Sequence, residues 1–364
     1  MISTPTGSAI FRRRGRLLLV ATFAALASVT CLGQTQAQQF YQLESAVTLK
    51  GATPGWDYLA LDPARSYLYI GRRQDGVTVY DVKAKKLVGS IENSQGANMT
   101  TLVGDFDRGY TTNGDGSTTV FQLSTLKAIE RIKLGEDADA AYYEPVTKQL
   151  AFMRGDSKEI TFLDAKTGSI VARLKMDSEK LEAAAPDGQG NFFQSLRDKN
   201  AVARIDAKQH KVSAVWPTPG CEEPTGLAVD RANKRIFLGC RGKNPVLAIL
   251  DWDSGKVIAT RPIGRGNDGV VYDPDSHKIY TSNGIDSNLV IFDQEDANTY
   301  KLAEATTTRP YARTMALDPN TKRVYMVTAE GTLDPSRKVT PAATPFYPNR
   351  YFSDTFTLLT FSRR

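Results

Sequence analysis

The stretch CEEPTGLAVDRANKRIFLGC, residues 221–240, predicts two short β-strands around a polar turn. Apolar and polar residues alternate on both sides of DRANKR, which is the pattern of strands that bury one face. A single hairpin of this kind cannot cover its apolar side chains by itself. The rest of the chain must therefore supply the surface that covers it.

Near-copies of this hairpin recur about every 42 residues along the chain, which is a period typical of repeat proteins. Each hairpin is followed by an apolar third strand, such as LAILD (247–251), and by a short fourth strand. Four strands at this period are typical of one propeller blade. An aromatic residue marks the second strand of each copy, namely Tyr69, Tyr110, Phe152, Phe193, Phe237, Tyr280 and Tyr325.

The sequence therefore predicts an all-β fold, a seven-bladed β-propeller with four antiparallel strands in each blade. We name the strands of a blade A, B, C and D from the channel outward. Blade 7 has A and B strands at residues 314–327 and a C strand at 356–362, but no D strand follows them. We expect ESAVTLKG, residues 44–51, to pair beside that C strand and close the ring, because an unpaired sheet edge invites aggregation.

Residues 1–37 have the pattern of a secretory signal peptide. Basic FRRRGR (11–16) precedes an apolar run (17–33) and TQA, a cleavage site of small residues. An uncleaved anchor helix and a lipoprotein attached through Cys31 are the alternatives. We expect a mature domain of residues 38–364, periplasmic or secreted, with no stable membrane span.

The charge of the chain changes once this leader is set aside. The whole sequence has 46 Lys and Arg residues against 40 Asp and Glu residues, and four of the arginines lie in the leader. The predicted mature domain is thus close to neutral and has no general attraction for nucleic acids. We expect a monomer whose partner is a small ligand or a periplasmic protein.

Propeller geometry predicts where polar groups meet. The A strands line the central channel, and the D-to-A and B-to-C connections open on one face. Asn98 is the nearest polar candidate of blade 2. In the other blades, the groups expected to converge at the channel entrance are Asp57, Asp139, Glu182, Glu222, Glu223, Asp268 and Arg313.

Carboxylates that lie close together raise one another's pKa or recruit a cation, and a ring of oxygen ligands would suit a calcium ion. The alternative is a polar rim that holds only water. Basic residues in the B-to-C loops of four blades are predicted to be solvated, with a basic rim for an anionic partner as the alternative. They are Arg72, Arg73, Arg154, Lys158, Arg197, Lys199, Arg241 and Lys243.

Cys221 and Cys240 are the two cysteines of the predicted mature domain, and in an exported protein such a pair is expected to form a disulfide. Both belong to the face of the channel entrance. The bridge would either orient Glu222 and Glu223 or act only as a staple of blade 5.

Residues 328–354 replace a tight B-to-C turn of blade 7 with a long insertion. Loops of this length in compact domains are usually functional or disordered. A cover over the channel, a partner-binding arm and an insertion without a role all remain open. Its aromatic residues are Phe346, Tyr347, Tyr351 and Phe352.

Three motifs, DYLALDPARSYLYIG (57–71), EEPTGLAVD (222–230) and ARTMALDP (312–319), resemble the YncE-like family of exported seven-bladed propellers with YVTN-type repeats. The resemblance covers essentially the whole predicted mature domain. It implies a periplasmic seven-bladed propeller but no reaction, since the family is largely without an established activity. At ANMTTLVGD (97–105), relatives tend to have a His-Gly pair that this sequence lacks.

The sequence thus favours a non-enzymatic binding or scaffold propeller that acts through its channel-entrance face, with no catalytic residue and no cofactor assigned. A metal-dependent hydrolase of the lactonase type, using the channel carboxylates around a calcium-like ion, is the first alternative. Nucleic-acid binding is the second. His210 and His277 are predicted in turns on the opposite face, which disfavours a histidine-ligated metal or a Ser-His-Asp triad.

Overall fold

The computed structural model describes residues 39–52, 54–337 and 348–364. The predicted leader, residues 1–37, lies outside the described residues, as do Phe346 and Tyr347 of the insertion. Residues Gln39–Arg364 form one compact unit. In its described part the secondary structure is β-sheet, with two three-residue 3-10 helices at Gly104–Phe106 and Arg197–Lys199.

The described residues form thirty strands, and the first is β1 (Tyr41–Thr48). Blade 1 is β2 (Leu59–Asp62), β3 (Tyr67–Gly71), β4 (Val77–Asp81) and β5 (Lys86–Ile91), and blade 2 is β6 (Ala97–Val103), β7 (Arg108–Asn113), β8 (Ser117–Gln122) and β9 (Ala128–Lys133). Blade 3 is β10 (Ala140–Glu144), β11 (Gln149–Arg154), β12 (Glu159–Asp164) and β13 (Ile170–Lys175), and blade 4 is β14 (Leu181–Pro186), β15 (Asn191–Leu196), β16 (Ala201–Asp206) and β17 (Lys211–Pro217).

The second half of the ring repeats this arrangement. Blade 5 is β18 (Pro224–Asp230), β19 (Arg235–Cys240), β20 (Val246–Asp251) and β21 (Val257–Pro262), and blade 6 is β22 (Asn267–Asp273), β23 (Lys278–Asn283), β24 (Asn288–Gln294) and β25 (Tyr300–Thr307). Blade 7 is β26 (Met315–Leu317), β27 (Val324–Thr328), β30 (Thr357–Arg363) and β1. Between β27 and β30 the insertion forms a small hairpin, β28 (Gly331–Thr332) with β29 (Arg350–Tyr351).

The seven four-stranded sheets confirm the predicted number of blades and the order of strands in each blade. Each A strand contacts the A strands of its two neighbours, and β26 of blade 7 contacts β2 of blade 1, so the A strands surround the axis. The D strands lie outside, and β17 accordingly alternates between exposed and half-buried residues along its whole length. This arrangement follows from the alternating pattern of the sequence.

The core lies between the blades. The seven aromatic anchors are all buried, and several of them pack against the next blade. Tyr69 packs against Phe121, with ring centroids 5.7 Å apart, and Phe193 packs against Trp252 at 5.6 Å. Burying one such side chain contributes about 1.5–3 kcal/mol. A blade gains this free energy only when its neighbour is present, which explains why the unit must be repeated.

The ring closes as predicted, through an N-terminal strand that becomes the D strand of blade 7. β1 pairs antiparallel with β30, from Tyr41 opposite Arg363 to Thr48 opposite Thr357. The strand begins three residues before the predicted segment and ends at Thr48. The buried Tyr41 explains the earlier start, because its hydroxyl donates a hydrogen bond to the Lys322 carbonyl oxygen at 2.6 Å.

Candidate functional site

A cavity of about 930 Å³ opens where the A strands begin. We call this side of the propeller the channel face, and its wall consists of the loops that lead into the A strands and of B-to-C connections. Small-molecule sites in proteins typically have volumes of roughly 300–1,000 Å³. The cavity is therefore large enough for a metabolite or a short peptide.

Six of the seven predicted site residues line this cavity, and the seventh, Glu222, lies beside it. The Glu222 carboxylate accepts a hydrogen bond from the backbone N–H of Lys243, a residue of the lining, at 3.2 Å. That these residues bind a ligand stays a prediction. The six residues that line the cavity are Asp57, Asp139, Glu182, Glu223, Asp268 and Arg313.

Three of these acids are buried, and each is paired with an arginine from a B-to-C connection. Arg73 pairs with Asp57, and Arg241 pairs with Asp268. In blade 4, Nη1 of Arg197 lies 2.6 Å from Oε1 of Glu182. Three of the acids predicted at the channel entrance are therefore members of charge pairs.

Arg313 joins several of these groups. Its Nε donates a hydrogen bond to Asp268 at 2.8 Å, and its Nη2 lies 3.5 Å from Oδ1 of Asp57. Nη2 also donates to the Trp56 carbonyl oxygen at 3.1 Å, and the guanidinium lies over the Trp56 ring at 5.2 Å. This side chain links blades 6, 7 and 1 at the cavity wall.

Asp139 differs from the buried Asp57, Glu182 and Asp268, because none of the described cations forms an ion pair with it. Its carboxylate accepts a hydrogen bond from Nδ2 of Asn98 at 3.3 Å. Burial, together with the negative charges of Asp57 and Glu182, raises the pKa of Asp139 to about 8. At neutral pH this carboxyl group is therefore mostly protonated.

Burial also changes the titration of the neighbouring groups. It raises the pKa of Asp57 and of Glu182, although the nearby arginines act in the opposite direction. Tyr58 belongs to the same lining, and burial with the charges of Asp268 and Asp57 raises the pKa of its hydroxyl well above the ordinary value. Tyr58 is thus a neutral hydrogen-bond donor over the whole physiological range.

The arginines were not predicted as site residues, and their loops were expected to be solvated. Arg73, Arg197, Arg241 and Lys243 instead line the cavity. Arg72 and Arg154 are buried beside it but turn away, Arg72 over the Phe356 ring and Arg154 toward Glu159. A signal was available in the sequence. In blades 4 and 5 an arginine, Arg197 or Arg241, follows the B strand directly, and in blade 1 Arg73 is the second residue after it.

The base of the insertion lies at the same cavity. Pro348 and Asn349 line it, and β29 is fixed by the Tyr351 ring, which meets the Trp56 ring edge-on at 5.1 Å. Trp56 also packs against Phe356 at 6.0 Å. These aromatic contacts connect the insertion to the loop that carries Asp57. Phe352, by contrast, is exposed.

The predicted disulfide is present between Cys221 and Cys240, and both cysteines are fully buried. It joins the loop before β18 to the end of β19 on the channel face. The bridge lies directly before Glu222 and Glu223 in the chain, and of these two Glu223 lines the cavity.

The possible metal ligands of the described residues are the acids of the cavity and the two histidines. Among the described residues, no group of three or more His, Cys, Asp and Glu side chains is arranged to hold a metal ion. His210 and His277 lie in the predicted turns, where His210 contacts Gln149 and His277 contacts Tyr272. The described residues contain no helix with the length and apolar character needed to cross a membrane.

Two curated proteins are similar to this chain, and both are described as uncharacterized protein YncE, from Salmonella typhi and Salmonella typhimurium. Each is 27% identical to it over 195 residues, which is 51% of this chain and 54% of the relative. The chain is a seven-bladed propeller similar to YncE. It spans about half the length of the curated relatives it matches, and no protein-family model matches it. The YVTN type of the repeats stays a prediction.

Solved structures share the fold of this YncE-like chain at low identity. A chain of the hydrazine synthase of Kuenenia stuttgartiensis has a TM-score of 0.66 and 17% identity, covering 77% of this chain and 94% of that one. A chain of a mitotic checkpoint complex has a TM-score of 0.69 and 12% identity, covering 96% and 99%. The WD40 repeats of RRP9 have a TM-score of 0.70 and 9% identity, covering 89% and 100%. Such likenesses show the fold alone.

Proposed function

We propose that this propeller is a non-enzymatic binding protein that takes a small charged ligand into the cavity of the channel face. The observation that carries the proposal is the convergence of the six predicted charged side chains, from six blades, on one cavity of about 930 Å³. Most of them are already held by partners, so little ordering is needed when a ligand arrives. This preorganisation is what a binding site requires.

A periplasmic or secreted location belongs to the same proposal. The buried disulfide of blade 5 supports it, because such bridges persist mainly in oxidising compartments. The leader-like residues 1–37 favour the same location.

The metal-dependent hydrolase receives less support. Calcium prefers six to eight oxygen ligands, whereas the carboxylates of Asp57, Glu182 and Asp268 are engaged by arginines. A metal would have to displace these guanidinium groups. Calcium titration of the purified protein tests this alternative, and a rise in melting temperature that saturates with calcium would favour it.

Nucleic-acid binding also receives less support, because eight acids line the cavity wall together with seven basic residues. Single-stranded nucleic acid is usually held by a continuous basic groove with stacking aromatics. Binding of an oligonucleotide that weakens steeply with salt would favour this alternative over the small ligand.

The proposal is tested by melting curves with a panel of small carboxylates, phosphates, amines and short peptides, followed by calorimetry. Ile285→Trp should abolish the ligand-dependent rise in melting temperature, because Ile285 lines the cavity from a B-to-C turn and the larger ring would fill it. Val146→Trp is the matched control, since Val146 is exposed in the A-to-B turn of blade 3. The proposal fails if no compound raises the melting temperature, or if Ile285→Trp leaves the effect intact.

A further inference from the structure

The charges of the cavity wall are not distributed evenly around the channel. The part contributed by blades 3 and 4 contains five acids and two basic residues. We call this part the acidic arc, and its acids are Asp137, Asp139, Asp156, Glu179 and Glu182.

The remainder of the wall has the opposite balance. Blades 5, 6, 7 and 1 contribute three acids, Asp57, Glu223 and Asp268, and five basic residues. We call this part the basic arc, and its cations are Arg73, Arg241, Lys243, Arg265 and Arg313. The cavity therefore has a negative side and a positive side.

Each arc also contains ionisable groups that have no ion-pair partner among the described residues. In the acidic arc, neither Asp137 nor Asp139 has an ion pair with any described cation, although Asp137 accepts a hydrogen bond from the backbone N–H of Asp156 at 3.0 Å. In the basic arc, the Lys243 ammonium group has no described acid within ion-pair distance, and this side chain lines the cavity. These groups are available to a ligand on both sides.

From these observations, and resting on the proposed binding function, we infer that the ligand is dipolar. Its cationic group, an ammonium or guanidinium, would bind at the acidic arc beside Asp139, and its anionic group, a carboxylate or phosphate, would bind at the basic arc near Lys243. A ligand with a single charge would satisfy one arc and leave the other unpaired. Complementary charges of this kind determine specificity more than affinity.

The surroundings of Asp139 add a measurable consequence. The charges that face it are Asp57, Glu182 and Asp137, which favour its protonated form, and Arg73, which opposes them. A ligand ammonium beside Asp139 adds the missing positive charge and favours the carboxylate. Binding of a dipolar ligand near pH 7 should therefore release a proton to the solvent.

The test uses glycine oligomers of two to six residues, each in three forms: free at both ends, N-acetylated, and C-amidated. The free form has both charges, and each capped form keeps only one. For at least one length, calorimetry should give an affinity at least tenfold higher for the free form than for either capped form. The inference is overturned if a capped form binds as tightly as the free form at every length, or if no free form binds while a singly charged compound does. In both cases the proposed binding function would still stand.

Two variants test the cationic end and the anionic end of the ligand separately. Asp139→Asn should lower the affinity of the free oligomer to that of its N-acetylated form, and should remove the released proton, which is measured in buffers of different ionisation enthalpy. Glu136→Gln is the matched control, because Glu136 precedes the same A strand, is exposed and lies outside the cavity lining. Lys243→Gln should weaken the free and the N-acetylated oligomers by a similar factor and leave the C-amidated one unchanged. Equal effects of Asp139→Asn and Glu136→Gln would contradict the assignment of the cationic end.

Discussion

Arg313 and Asp57 form an ion pair across the junction between blade 7 and blade 1, with Nη2 of Arg313 3.5 Å from Oδ1 of Asp57. Beside it, the Thr314 hydroxyl donates a hydrogen bond to the Asp57 carbonyl oxygen at 2.6 Å. The contact between blade 7 and blade 1 is therefore also part of the cavity wall. Stability and ligand binding are expected to depend on the same residues there.

Replacement of Arg313 tests this relationship. Arg313→Met should lower the free energy of unfolding by about 2 kcal/mol, because Asp57 and Asp268 each lose one of two arginine partners while remaining buried. Urea denaturation measures the change. Lys85→Met is the control, since the pair of Lys85 with Glu44 is exposed on the lysine side and should contribute about 0–1 kcal/mol. Equal losses in the two variants would contradict the role assigned to Arg313.

Asp139 should make the protein less stable as the pH rises. Its folded pKa of about 8 lies above the ordinary value of 3.8, so the folded state holds a proton that the unfolded state releases. Stability is then lost progressively between these two pH values. Asp139→Asn should flatten this dependence and raise the free energy of unfolding at pH 7 by about 1–3 kcal/mol.

Denaturation of the wild type and of Asp139→Asn across pH 4–8 measures the difference. Glu136→Gln should follow the wild type at every pH, because Glu136 is exposed. A constant offset between wild type and Asp139→Asn would contradict the raised pKa.

Glu44 of the closing strand should show the opposite dependence. Hydrogen bonds from Arg323 and Lys85 lower its pKa from 4.5 to about 2. Its contribution is therefore complete above pH 4.5 and is lost as the pH falls toward 2. Glu44→Gln should reduce the free energy of unfolding by about 1–2 kcal/mol at pH 7, and the deficit should shrink in acid. Glu92→Gln, at an exposed position after β5, should have no effect at either pH.

Removal of the disulfide should destabilise blade 5. The bridge spans a sequence separation of 19 residues, for which the chain-entropy model gives a contribution of about 3 kcal/mol. The double variant Cys221→Ala and Cys240→Ala should lose this amount in thermal or urea denaturation. A reducing agent should destabilise the wild type to a similar extent and leave the double variant unchanged. If reduction affects both proteins equally, the bridge is not the cause.

Most of the fold could be predicted because it depends on a repeated local pattern. The aromatic anchors and the alternating strands recur in every blade, so seven copies reinforce one interpretation. The pairing of β1 with β30 followed from counting strands, since blade 7 lacked a fourth. The first residue of β1 could not be predicted from this count. It depends on the hydrogen bond between Tyr41 and Lys322, which are distant from each other in the chain.

The site was predicted only in part. The starts of the A strands place the acids correctly, because propeller geometry determines where those strands lie. The direction of a side chain in a loop is not determined in this way, and Glu222 is accordingly absent from the cavity lining although Glu223 is part of it. The same difficulty applies to the arginines. Arg72 and Arg73 are consecutive, yet Arg73 reaches the cavity and Arg72 is directed over Phe356.

The order of strands in blade 7 has a consequence for biogenesis. β30 follows every other described strand along the chain, yet it lies between β27 and β1, which precedes all of them. During synthesis β1 therefore remains without its neighbour until the strands of the six other blades have been made. A pause in translation before β30 would thus leave β1 with an open sheet edge, to which chaperones or proteases could bind.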